Sequence, residues 1–216
     1  MRLRVLYDNR AKEGFKADWG FSCLVGDDLL FDTGANLSIL LHNMNQFDID
    51  FEKIRTVVLS HNHRDHAGGV GIIEQLEHVE VYVPKSFSQS LKKNIFSFGN
   101  TEIVEIDEPQ QVTNRVYSTG ELGSGPKEQA LVIHGDDEWT LITGCAHPEL
   151  ETILEKAEEF GTIHCVIGGF HDFGRLYALE HIPLIIPCHC TSKKREIHDL
   201  YKLSSKRCGA GLDIEV

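Results

Sequence analysis

Along the first third of the chain, apolar positions gather into short blocks separated by polar or glycine-containing gaps. Residues 2–7, 21–25, 29–32, 56–60 and 79–83 are β-branched, alternating or continuously apolar, which predicts five strands. Gly26, Asp27 and Asp28 predict a hairpin turn between the second and third. After Asp32-Thr33-Gly34 the period changes: Leu37, Leu40, Leu41 and Met44 recur at helical intervals within 36–45. Further helices are predicted over 70–76 and 86–93.

The second half repeats this style. Residues 102–106, 111–117, 130–134 and 139–143 predict a meander, with Gly135-Asp136-Asp137 turning between its last two strands. Helix 149–160 carries Leu150, Ile153, Leu154 and Ala157 on one face and glutamates on the other, bounded by Pro148 and Gly161. A strand over 162–167, a short helix over 175–181, a buried strand over 184–187 and an amphipathic helix over 193–203 complete the pattern. Two similar βα halves predict an α/β fold in which sheet stacks on sheet with helices outside, an αββα four-layer sandwich. The site is expected in the cleft at the strand ends.

Composition narrows this picture. A chain of 216 residues, 41% hydrophobic and 25% charged, without a low-complexity tract or Pro-rich linker, predicts one domain over 1–216. The formal charge of −12 argues against nucleic acid as the main partner and favours a small-molecule substrate. No apolar run approaches a membrane span and the N-terminus lacks a long apolar region, so a soluble cytoplasmic protein is expected, with no membrane partner and with homo-oligomerisation left open. The six cysteines lack dense disulfide spacing. Reduced thiols are therefore expected, with an internal pair under oxidation as the alternative.

The chemistry concentrates in His61-Asn62-His63-Arg64-Asp65-His66, three imidazoles and a carboxylate within one turn at the end of a predicted strand. These are the ligand types that Zn²⁺ prefers and that Fe²⁺, Mn²⁺ and Ni²⁺ accept. A polar loop that is His-rich by chance is the plain alternative, and the strand-end context argues against it. Such a run leaves a metal pair short of ligands, so others are sought at later strand ends. Cys145 and His147 follow the strand 139–143, His171 follows 162–167, and His189 follows 184–187. His147 and His189 read as ligands, and His171 as a proton-transfer or substrate-contact residue or as a further ligand. Cys145 reads as an additional ligand or as a small buried core residue. Asp32, also at a strand end, reads as the acceptor of a ligating imidazole's outer N–H or as a helix cap.

The segment Ser60-His61-Asn62-His63-Arg64-Asp65-His66-Ala67-Gly68-Gly69 is similar to the signature of the metallo-β-lactamase superfamily. Phe31-Asp32-Thr33-Gly34 occupies the place of its early Asp motif, and His189 that of its last ligand. Ala17-Asp18-Trp19-Gly20-Phe21-Ser22, Thr143-Gly144-Cys145-Ala146-His147-Pro148, Gly168-Gly169-Phe170-His171 and Pro187-Cys188-His189-Cys190-Thr191 together resemble the subgroup named for the methanopterin-pathway dihydropterin–ribofuranosylaminobenzene phosphate synthase. The chain is shorter than expected for that subgroup between Pro84 and Thr101, and it carries Asp172 and Ser192 where other residues are usual.

The resemblance implies a metal-dependent enzyme with two divalent ions, Zn²⁺ first and Fe²⁺, Mn²⁺ or Mg²⁺ as alternatives. His61, His63 and His147 would hold one, and Asp65, His66 and His189 the other, with Asp65 and His171 as catalytic groups. The superfamily's Gly-Asp bridging position stands here as Gly144-Cys145, so bridging falls to His147, Cys145 or a water. The implied activity is hydrolysis of a phosphoester, ester or related bond. The rivals are condensation of a pterin diphosphate with a ribofuranosylaminobenzene phosphate, nucleic-acid hydrolysis, an iron redox role and a non-catalytic binding protein.

Overall fold

The computed structural model describes residues 1–135 and 138–216. The first sheet takes its strands in the order β13-β1-β2-β3-β4-β5-β6 and the second in the order β12-β11-β10-β9-β8-β7. The first sheet holds β1 (Arg2–Tyr7), β2 (Ser22–Val25), β3 (Leu29–Phe31), β4 (Thr56–Val58), β5 (Val79–Pro84), β6 (Thr101–Ile106) and β13 (Asp213–Glu215). In the second lie β7 (Gln110–Thr113), β8 (Val116–Ser118), β9 (Leu131–His134), β10 (Trp139–Thr143), β11 (Ile163–Gly169) and β12 (Leu184–Cys188).

Alternation along each strand makes the layers. Phe31 and Leu29 of β3 enter the core between the sheets together with Ile142 of β10 and Ile167 of β11. Leu30 faces the other way, against Leu40 and Met44 of α1 (Leu37–Gln46) and Ile95 of α3 (Gln89–Phe96). Leu141 and Val166 likewise pack under Ile153 and Leu154 of α4 (Leu150–Glu158) and Ile197 of α5 (Lys194–Leu200). Three apolar layers between four structural ones give the αββα sandwich that the sequence predicts.

Several elements differ from expectation. Strand β6 pairs in parallel with β5 and so ends the first sheet instead of opening the second-half meander. The expected strand over 111–117 is divided into β7 and β8, which pair antiparallel, with Arg115 at φ +67° in the turn. The 70–76 helix is a 3₁₀ segment, Val70–Gln75. Strand β13 was not expected; it closes the edge of the first sheet against β1. Asp136 and Asp137 of the expected turn lie outside the described residues. Cys188 and Cys208 form a disulfide, against the expectation of reduced thiols, whereas Cys23, Cys145, Cys165 and Cys190 are free. No helix of the described residues is long and apolar enough to cross a membrane.

Candidate metal centre

Strand ends from both sheets meet at one seam. Strand β4 leads into His61 and the one-turn helix α2 (Arg64–Ala67), which carries Asp65 and His66. From the second sheet, β10 delivers Cys145 and His147, β11 delivers His171, and β12 delivers His189. Close approach depends on glycine. A Cβ at Gly69 would strike the Thr33 carbonyl, and one at Gly144 would strike the Ser60 hydroxyl.

Asp32, Ala146, His171 and His189 all have positive φ, between 41° and 61°. Non-glycine residues rarely adopt this region, and its concentration here marks backbone strain held by the surrounding contacts. The contacts are visible at His189, whose N–H donates to Asp8 Oδ1 at 2.8 Å and whose carbonyl accepts from Asn9 Nδ2 at 2.9 Å.

Outer hydrogen bonds fix the imidazole tautomers. Ser60 donates its hydroxyl to Asp32 Oδ2 at 2.8 Å, so its oxygen is left to accept the His61 Nδ1–H at 2.9 Å. Asp32 also accepts the His66 Nδ1–H at 2.6 Å, and Asn9 Oδ1 accepts the His189 Nδ1–H at 3.0 Å. Each of these rings therefore turns a bare Nε2 inward. The His61 Nε2 lies 3.1 Å from His63 Nδ1, the His66 Nε2 3.0 Å from Cys145 Sγ, and the His189 Nε2 3.1 Å from Asp65 Oδ2. The Nε2 of His147 is buried with no partner.

A bare nitrogen facing a carboxylate oxygen, beside a second buried nitrogen with no donor, leaves a cluster of acceptors that only cations or protons can satisfy. Burial keeps the rings neutral: His61 is pushed well below the ordinary imidazole range, His66 to about 3 and His147 to about 4. Burial acts in the opposite sense on Asp65, yet its carboxyl stays below the usual carboxylate range. The donor set fits divalent metal ions. Asp65, His66, Cys145 and His189 lie close enough to share one, and His61, Cys145 and His147 another.

All the residues proposed from sequence as ligands are brought to this seam, with His63 on its exposed side. His63 reaches it through His61 and through a ring contact with His147, centroids 4.9 Å apart. His171 is not in either donor group. It stands on the rim, its ring 5.1 Å from that of His147 and its Nδ1 3.3 Å from Asp172. A cavity of ≈ 190 Å³ opens there, lined by His147, His171, Phe170 and Phe173 among others.

Four contributors escape sequence reasoning. Ser60 and Trp19 stand within the superfamily-like motifs but carry no ligand chemistry of their own, and Asn9 lies far in sequence from His189, the ring it serves. The fourth, Glu128, is fully buried, and its Oε1 accepts the N–H groups of Gly144, Cys145 and Ala146 while Oε2 accepts that of His147. Trp19, 56% exposed, donates Nε1–H to Asp65 Oδ2 at 2.9 Å and lies edge-on to His189.

Residues 28–139 match the β-lactamase superfamily domain. The chain belongs to the metallo-β-lactamase superfamily. It is 27% identical, over 89% of its length and 91% of the relative's, to the uncharacterized protein MJ0448 of Methanocaldococcus jannaschii. It is 24% identical to the 7,8-dihydropterin-6-methyl-4-(β-D-ribofuranosyl)-aminobenzene-5'-phosphate synthase of the same organism, covering 78% of this chain and 76% of that one. Among solved structures it superposes on Tm1679, a metal-dependent hydrolase of the β-lactamase superfamily, with a TM-score of 0.80, 26% identity and coverage of 100% and 99% of the two chains.

Proposed function

We propose that the protein, acting as one domain over 1–216, is a dinuclear metal-dependent hydrolase of a small-molecule phosphoester, ester or related bond. The observation that carries this reading is the convergence of inward Nε2 lone pairs, with tautomers fixed from outside, on a cleft open at one side. His61, His63 and His147 would hold one ion and Asp65, His66 and His189 the other, Cys145 lying beside both groups. Zn²⁺ suits this nitrogen, oxygen and sulfur set best. Divalent cations held there would supply Lewis acidity and lower the pKa of a water, to about 7 in the case of Zn²⁺.

The chain's own groups do the rest. Asp65 keeps its carboxylate charged at the cleft, with one oxygen oriented by the Trp19 N–H. His171, exposed on the rim and adjoining the small cavity, is placed to pass a proton to a leaving group. Phe170 and Phe173 give that cavity an apolar wall for the substrate.

A second reading, condensation of a pterin diphosphate with an aminobenzene nucleoside phosphate, draws support from the synthase relative. The exposed Trp19 indole favours it too, since it offers a flat face beside the ligands. The test is turnover by chelator-stripped and metal-reconstituted protein on phosphodiester, lactone and pterin-diphosphate substrates. Hydrolysis restored only by metal is the expected result. Pyrophosphate release that requires both pterin and amine substrates would replace it with the second reading, and turnover independent of metal would overturn both.

A further inference from the structure

Cys145 holds a position that no other residue of the centre shares. Its Sγ belongs to both donor groups, the one with Asp65, His66 and His189 and the one with His61 and His147. The bare His66 Nε2 faces that sulfur at 3.0 Å, and because the His66 Nδ1–H is committed to Asp32, only the thiol can supply the proton between them. The sulfur's place is fixed from behind. Glu128 takes the Cys145 N–H at 2.9 Å together with the N–H groups on either side, and Gly144 is pressed against Ser60.

Resting on the two-metal reading above, we propose that Cys145 is the bridging ligand of the centre, its thiolate shared by both cations. On metal loading the S–H bond breaks, the proton leaves to solvent, and two sulfur–metal bonds form in its place. Sulfur at the bridge selects thiophilic ions such as Zn²⁺ over Mg²⁺, which favours oxygen ligands. It also explains how a chain with cysteine after Gly144 assembles a centre without a carboxylate there.

Cadmium-113 NMR of the full-length protein loaded with ¹¹³Cd²⁺ tests the proposal, with bound cadmium counted separately by elemental analysis. Two resonances are expected, both displaced in the direction of thiolate ligation. Both should return towards the nitrogen and oxygen range in Cys145→Ser, whereas Cys190→Ser, which alters the neighbouring thiol, should leave them in place. One thiolate-shifted resonance would make Cys145 a terminal ligand, and none would remove it from the centre; either outcome overturns the bridge while leaving the metal site standing. Failure to retain cadmium at all would overturn the two-metal reading and the bridge with it. The wild-type spectrum decides between these outcomes even if the serine variant does not fold.

Discussion

Ser60 determines which nitrogen of His61 is free. Its hydroxyl donates to Asp32, so the oxygen accepts the imidazole N–H and leaves the inner nitrogen bare. Removing it with Ser60→Ala frees that ring to adopt the other tautomer. Outer partners of metal-bound histidines typically change affinity by about 10–100-fold. Competition against a chromophoric chelator is expected to show a loss of this order, and unchanged affinity would mean that the tautomer is set by something other than Ser60. At this scale the 61–66 run was legible because ligands close in sequence leave a local pattern, and Asp32 was legible because it ends a strand. Asn9 and Glu128 were not, because a lone polar residue acquires its role only when folding brings it to a distant ring or turn.

Glu128 ties two elements together, for it precedes β9 and caps the turn from β10 to α4 that carries Cys145 and His147. A glutamine there keeps the shape, but its amide N–H₂ must face one of the N–H groups that the carboxylate now accepts. A buried donor left unsatisfied costs about 1–3 kcal/mol, so Glu128→Gln is expected to lower unfolding stability by about that much in urea titration. A neutral result would show that water replaces the lost acceptor. Elements were legible where periodicity alone defines them, as in α1 and α4, but the cap of α1 is Asn36, whose side chain accepts the Ser38 N–H, and not Asp32, the cap that the sequence suggests as an alternative. Pairing partners were not. Residues 101–106 carry a strand pattern that suits either sheet, and only the α3 crossover places β6 beside β5. The break between β7 and β8 was hidden because Asn114 and Arg115 are not a glycine-marked turn.

Across the whole molecule, the repetition of strand-then-helix units was enough to give four layers, while the short β13 edge strand had too few residues to be distinguished from a tail. The centre spans the seam of the two sheets, so its titration is a property of the fold as a whole. In metal-free protein, His61 is buried and His147 half-buried as neutral rings, His147 titrating at about 4 against an ordinary 6.5. As pH falls below about 6.5 the unfolded chain takes up these protons first, and folding stability must decline. Their contribution is complete above pH 6.5 and is lost as the pH falls to about 4, with His61 extending the loss further. Asp32 and His66 act in opposite senses, burial raising the one and lowering the other, and they share a single proton across 2.6 Å, so their slopes offset. Bound metal should reverse the balance near neutrality, since a ligand at 100-fold its dissociation constant adds about 2.7 kcal/mol to the folded state. Denaturant midpoints of chelated and metal-loaded protein, measured from pH 7.5 down to 4.5, check both steps. The chelated protein is expected to lose stability progressively with acid, and the loaded protein to start higher and fall more steeply as protons displace the metal. A chelated protein with a flat profile would show that the inward-facing rings take up protons at the same pH as in the unfolded chain.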